Sequence, residues 1–188
     1  MHGPYGIHVS LIQDPNNYEN LSVRPEPFCT INLPIPNKSD SSQCSILECF
    51  DLYTYPEILE GENSWLNEKT NKKQKVYKSI KFWSLPRILV IYFKRWDFRG
   101  RKINVDVDFP IDNLDMSKYV MGYNRDNYKY ELYAISNHGG GSGGGHYWAY
   151  AKNTDNNWYK FNDNVVSTLN ISKVVSPEAY CLFYRLKN

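Results

Sequence analysis

The sequence predicts an α+β fold built mostly of antiparallel sheet, and three observations carry that prediction. Several segments alternate or run apolar at strand length, one short stretch has helical spacing behind a capping signal, and no long helical pattern follows Tyr53. Gly6 to Leu11 alternates, with Ile7, Val9 and Leu11 set against His8 and Ser10. Ile12 breaks the alternation, Gln13-Asp14-Pro15-Asn16-Asn17 is polar, and a second extended segment ends near Pro36, so the opening reads as a long hairpin. Ser45-Ile46-Leu47-Glu48 is a Ser-x-x-Glu capping box, and Ile46, Leu47, Phe50 and Tyr53 follow at helical spacing, which predicts one amphipathic helix with a core stripe. Asn63 to Lys78 is charged and amide-rich and reads as an exposed hairpin. Ile88 to Trp96 is apolar enough for burial on both faces, a central strand that surfaces at Lys94-Arg95. Further strands are expected at Tyr130 to Asn137, His146 to Ala151, Trp158 to Phe161 and Ala179 to Arg185, with a helical turn around Ser172 to Val175.

Composition narrows the function. A chain of 188 residues fits one compact domain, and 41% hydrophobic with 15% aromatic residues is too apolar for a disordered tail. The longest apolar run, Ile88 to Phe93, falls far short of the roughly 18 residues a membrane span needs. A net charge of +2 spread along the chain argues against phosphate-driven binding of nucleic acid. No cationic-then-apolar leader opens the sequence, so a soluble, intracellular protein is expected, with Met1 to Tyr5 a start-codon or expression remnant. Cys29, Cys44, Cys49 and Cys181 form no C-x-x-C pair and sit among apolar or strand-like neighbours, as small buried hydrophobes do.

Gly139-Gly140-Gly141-Ser142-Gly143-Gly144-Gly145 has the composition of a flexible linker, yet it lies between two convincing strands and separates His138 from His146. A loop inside a sheet is expected there, where glycine permits positive φ and close approach of a substrate strand to the main chain. Asn153 to Asn157 is a dense turn signal. If that turn centres on Asp155, paired positions sum to about 310, so His146 faces Asn164 and Asn162 lies diagonally within roughly 7 to 8 Å. A slip of one residue brings in Asp163 instead. Either places an amide or carboxylate beside the imidazole, the orienting role in a Cys-His-Asn/Asp triad. A histidine at a strand end is as often merely structural, and the hairpin itself holds no nucleophile.

These residues resemble the histidine box of the ubiquitin-specific proteases. Asn137-His138, the glycine run, Gly145-His146-Tyr147-x-Ala149-Tyr150, Trp158-Tyr159-x-Phe161-Asn162-Asp163 and Ala179-Tyr180-x-Leu182-Phe183-Tyr184 carry the likeness. Upstream it continues through Leu33-Pro34-Ile35-Pro36, Gly61-Glu62-Asn63, Leu85-Pro86-x-Ile88-Leu89-Val90-Ile91-x-Phe93-Lys94-Arg95-Trp96 and Val107-x-Phe109-Pro110.

The resemblance implies a papain-like cysteine protease fold without its thumb: residues 6–84 as fingers hairpins with one short helix, and 85–188 as the palm sheet. It implies a deubiquitinase that cleaves the (iso)peptide bond after the terminal glycine of ubiquitin. His146 would be general base and then acid, oriented by Asn162 or Asp163, with Asn162 favoured by register and by its place after Phe161. Gly143, Gly144, Gly145 and Tyr147 would line the channel for the substrate's Gly-Gly tail. The family's nucleophile lies in a glycine-asparagine-x-cysteine-tyrosine box that this chain does not contain, so these residues alone are expected to be inactive. Pairing Cys181 or Cys44 with His146 is a weak alternative; an inactive ubiquitin-binding scaffold is the stronger one. Many relatives carry zinc between C-x-x-C pairs at the fingertips, where this chain has Asn67-Glu68-Lys69-Thr70 and Pro15 to Tyr18, so neither zinc nor another cofactor is expected. Trp148 stands where relatives have a small or β-branched residue, and Tyr92 where many have His. The partners implied are ubiquitin and ubiquitinated proteins, with self-association through the thumb-facing surface around Tyr147 and Trp148. The compartment implied is the cytoplasm, with nucleus or endosome as alternatives.

Overall fold

The computed structural model describes residues 3–37, 43–123, 125–141 and 143–187; Met1, His2 and Ser142, which figure in the readings above, lie outside them. The first segment folds as the alternation predicts, β1 (Gly6–Gln13) pairing antiparallel with β2 (Asn20–Phe28). The second extended stretch is not one strand. After Cys29 the chain changes sheets, and β3 (Thr30–Leu33) runs parallel to a later strand of a larger sheet.

β4 (Gln43–Ser45) delivers Ser45 to the start of α1 (Ile46–Thr54), and the capping box forms as read. Ser45 Oγ accepts from the Glu48 amide, and the Glu48 carboxylate accepts from the Ser45 amide. Two donors that the helix itself cannot satisfy are thereby paired. Ile46, Cys49 and Phe50 make the buried face. Leu47, assigned to the apolar stripe by spacing, is exposed.

Next come β5 (Glu57–Leu59), the tight hairpin of β6 (Trp65–Asn67) and β7 (Lys72–Gln74) that the charged stretch predicted, and β8 (Val76–Ser84). β8 lies between β1 and β5, giving a four-stranded sheet ordered β2-β1-β8-β5. The rest of the chain supplies β9 (Ile88–Phe93), β10 (Asp106–Asp108), β11 (Leu114–Asp115), β12 (Lys129–Gly141), β13 (Gly144–Lys152), β14 (Trp158–Asn162), β15 (Val165–Leu169) and β16 (Ala179–Leu186). They build a large sheet ordered β15-β14-β13-β12-β16-β9-β3, with β11 on β12, while β10 pairs with β4. Only β3 and β9 run parallel within it. A mostly antiparallel α+β fold is therefore what forms. Phe82 of the small sheet packs against Phe28, Phe50 and Tyr53, so both sheets and the helix share one core. The fully buried rings among them, Phe50 and Phe82, contribute about 1.5–3 kcal/mol each. Among the described residues no helix is long and apolar enough to cross a membrane.

Three expectations are corrected. β9 is not central: only β3 separates it from the sheet edge, and Leu89, Ile91 and Phe93 are buried while Val90 and Tyr92 are half-buried. The chain does not surface at Arg95. That residue is 2% exposed, and its guanidinium donates to the carbonyls of Ala179, Ile103 and Val105 at 3.2, 3.4 and 2.6 Å. Burial lowers its pKa, and these carbonyl dipoles take the place of the water it loses. The glycine run is not a loop, because β12 and β13 stay paired through Gly140–Gly145 and Gly141–Gly144. β15, whose apolar residues are exposed, escaped the sequence reading altogether.

Candidate functional site

The site is built on the β12–β13 hairpin, and glycine is required there at particular places. Gly140 has φ of +108°, and a Cβ on it would meet the Gly144 carbonyl oxygen at 2.7 Å. A Cβ on Gly145 would lie 2.2 Å from His138 Nε2 and 2.6 Å from the Gly139 oxygen. Gly143 and Gly144, by contrast, have open space around them. Two glycines of the run thus serve the hairpin's own packing, and two leave its exposed tip bare.

His138 fills the space that Gly145 leaves. It is 6% exposed, its ring 4.6 Å from that of Tyr147, 5.7 Å from Trp96 and 6.1 Å from Tyr180. Lys102 donates to its carbonyl oxygen at 3.0 Å. Burial, and then the Lys102 charge, push the His138 pKa below the usual histidine value, so the ring is held neutral. The spacing of the two histidines pointed to this pair, and the structure gives them opposite characters. His138 is enclosed, whereas His146 is exposed at the hairpin end, paired across the ladder with Gly139. Tyr147, on the other face of β13, is 56% exposed.

The register expected from the Asp155 turn is the one observed. Ala149 pairs with Phe161 and Lys152 with Trp158, positions summing to 310. The ladder stops at Ala149, so Asn164 never comes opposite His146; Asp163 and Asn164 instead make the two-residue turn into β15, with Asn162 paired to Val165. The diagonal contact does form: His146 Nε2 lies 2.5 Å from Asn162 Oδ1. Asp163 is exposed in that turn with φ of +51°, and among the described residues it makes no hydrogen bond to His146. An amide oxygen accepts, so Nε2 carries the proton and Nδ1 keeps its lone pair. In that arrangement Nδ1 is the ring nitrogen left able to accept a proton.

None of the four cysteines is placed to meet it. Cys44 and Cys49 are buried with their sulfurs 3.9 Å apart, and burial pushes the Cys49 thiol pKa far up. Cys181 is buried against Tyr92, its pKa pushed up to about 11 by burial. Cys29 is exposed but precedes β3, four strands from β13, or roughly 19 Å across the sheet.

Two tips, the β1–β2 turn of the small sheet and the β6–β7 hairpin, a two-stranded sheet of its own, do not fit the donor chemistry of zinc. The β6–β7 turn is Asn67-Glu68-Lys69-Thr70, closed by Asn67 Oδ1 accepting from the Lys69 amide. Glu68 pairs with Arg24 of β2 at 3.5 Å, and Tyr18 stacks on Tyr77 at 5.9 Å. Neither tip offers a thiolate or imidazole, the donors a structural zinc site takes. Among the described residues no three His, Cys, Asp or Glu side chains gather in a metal-binding group.

A mostly antiparallel sheet carrying an amide-bonded histidine on a glycine hairpin defines a class, and the chain belongs to it: the ubiquitin carboxyl-terminal hydrolase family, whose model matches residues 16–184. Among curated relatives, "Ubiquitin carboxyl-terminal hydrolase 9" of Arabidopsis thaliana is 41% identical over 152 residues, covering 79% of this chain and 17% of that protein. "Ubiquitin carboxyl-terminal hydrolase 15" of Homo sapiens is 42% identical over 142 residues, 73% of this chain and 14% of that protein. Among solved structures, Ubp8 in a SAGA deubiquitinase module superposes with a TM-score of 0.82 at 30% identity, covering all of this chain and 42% of that one. Another Ubp8 module, bound to monoubiquitin, gives 0.81 at 29% identity, covering all of this chain and 41% of that one. The chain thus spans under a fifth of these curated relatives and about two fifths of the similar solved chains.

Proposed function

We propose that these residues are the histidine-bearing, carboxy-terminal part of a deubiquitinating cysteine protease that cleaves the (iso)peptide bond after the terminal glycine of ubiquitin. The observation that carries this is the His146 Nε2 to Asn162 Oδ1 contact on a hairpin inside a ubiquitin carboxyl-terminal hydrolase match. The thiol comes from a segment outside these residues. His146 Nδ1 takes the thiol proton, the thiolate attacks the glycine carbonyl, and the imidazolium then protonates the departing amine as the tetrahedral intermediate collapses. In the second half His146 deprotonates water, which attacks the thioester and frees the thiolate, and the proton returns from the imidazolium. Asn162 keeps Nδ1 facing the reaction and steadies the charged ring. The orienting role falls to Asn162 rather than Asp163 in this reading, because Asn162 is the residue in hydrogen-bond contact with His146.

In the same reading Gly143, Gly144 and Gly145, with Tyr147, line the passage for the substrate's Gly-Gly tail, because the open space at Gly143 and Gly144 lets an extended chain lie against the backbone. Residues 6–84 act as fingers holding the body of ubiquitin and 85–188 as palm, with β3 crossing from the first segment into the palm sheet. The protein works in the cytoplasm, or at the nucleus or endosome, on ubiquitinated proteins. Without a docked thumb, the exposed Tyr147 and its surroundings drive self-association, which a concentration-independent monomer mass would refute.

The test joins these residues to their thiol-bearing segment and measures hydrolysis of a ubiquitin-amide fluorogenic substrate. His146→Ala should abolish turnover, and Asn162→Ala should lower kcat by about 10²-fold or more while ubiquitin still binds. Turnover that survives His146→Ala overturns the assignment. A folded, ubiquitin-binding protein that never hydrolyses the substrate would identify an inactive scaffold instead.

A further inference from the structure

We infer that Trp148 is a positioning residue for His146, an inference that rests on the catalytic reading of His146 and supplies what its hydrogen bond leaves unset. A hydrogen bond at Nε2 alone anchors one atom of the imidazole, and the ring can still tilt about that anchor. His146 and Trp148 stand two apart on β13, so both side chains leave the same face of the sheet. Their rings stack, with centroids 5.9 Å apart and planes 22° from parallel. A nearly parallel aromatic ring beside the imidazole restricts that tilt.

The indole is itself held. A Cβ on Gly139 would lie 3.2 and 3.3 Å from its Cζ3 and Cη2 carbons, so the ring occupies the room that residue 139 leaves by being glycine. The ammonium of Lys160 on β14 lies over the same ring, 5.2 Å from its centroid. Trp148 is half-buried between its neighbours, and directly opposite it on β12 is Asn137, wholly buried. A smaller side chain at 148 would leave the Gly139 space empty and the imidazole without a platform.

The test uses nuclear magnetic resonance on this chain with Trp148→Phe and Trp148→Leu. The wild-type chain should show proximity between the His146 and Trp148 rings, an upfield ring-current displacement of the His146 carbon-bound protons, and an Nε2 proton that exchanges slowly with water. Trp148→Phe should show its own ring near His146 and keep the upfield displacement and the slow exchange. Trp148→Leu, with a thermal midpoint showing that it folds, should lose the displacement and exchange the Nε2 proton about tenfold faster or more. In the longer protein with its thiol, Trp148→Leu should lower kcat by about tenfold to a hundredfold with KM little changed, and Trp148→Phe should restore most of it. Absence of ring proximity in the wild-type chain overturns the inference whether or not any variant folds. So does a folded Trp148→Leu with wild-type exchange and kcat. Failure of the catalytic reading is a separate result, hydrolysis indifferent to His146→Ala.

Discussion

Replacing Gly145 by Ala tests the link between hairpin packing and the proposed base next to it, His146. The added methyl would sit 2.2 Å from His138 Nε2 and 2.6 Å from the Gly139 oxygen, where ordinary contact begins near 3.4 Å. The imidazole must therefore recede by about 1.2 Å and the carbonyl by about 0.8 Å if the methyl stays put. The first move is opposed by Trp96, Tyr147 and Tyr180 around His138; the second shifts the residue that pairs with His146. Overpacking of this kind costs about 1–3 kcal/mol, which lowers the thermal midpoint of a domain this size by about 2–12 °C. A displacement near 1 Å beside a catalytic group costs about 10²-fold in rate. Calorimetry of Gly145→Ala against Gly144→Ala, whose added methyl meets nothing, isolates the packing effect. Equal midpoints for the two variants, with an unmoved His146–Asn162 contact, would refute the reasoning.

Three further outcomes follow from other parts of the molecule. Arg95→Leu removes the donor to two buried carbonyls and one partly buried one and should destabilise by about 3 kcal/mol or more, read as a lower urea midpoint; a change below about 1 kcal/mol would mean those carbonyls find other donors. Ser45→Ala breaks the capping box and should cost about 1 kcal/mol in chemical unfolding, with no change in the His146 resonances. The third concerns pH. Burial holds the folded-state His138 pKa below 6.5, so the unfolded chain binds the extra proton. The stability this contributes is complete above the ordinary histidine value and is lost as pH falls through the folded one. The thermal midpoint should thus fall more steeply between about pH 7 and pH 5 in the wild type than in His138→Gln, and equal slopes would exclude His138 as the source.

Local rules made much of this structure legible. The capping box at Ser45 formed because both of its partners lie within one helical turn, and the Asn153–Asn157 turn set the β13–β14 register because a hairpin needs no distant information. The diagonal from His146 to Asn162 follows from that register and the period of two. Legibility failed where a distant strand decided the outcome. Arg95 is charged and reads as surface, yet carbonyls from residues 103, 105 and 179 converge on it. The glycine run reads as linker or loop, yet β12 and β13 pair through it because the main chain needs no side chains to keep its ladder. β15 is polar enough in its surroundings to pass for loop, and it is a strand because β14 offers it an edge.

By itself the sequence determined the α+β class, the helix start, the hairpin that carries His146 and the motifs shared with the ubiquitin carboxyl-terminal hydrolase family. Each depends on contacts between residues close along the chain or on residue order alone. The tertiary structure alone decided that the ladder stops before Asn164 can oppose His146, that His138 is enclosed by aromatic rings, and that the Trp148 ring stacks with that of His146. Those outcomes turn on where a ladder stops, which rings close around a side chain, and which ring fills the space beside a glycine. They are contests settled over an ångström or two between segments that meet only when the sheet has closed.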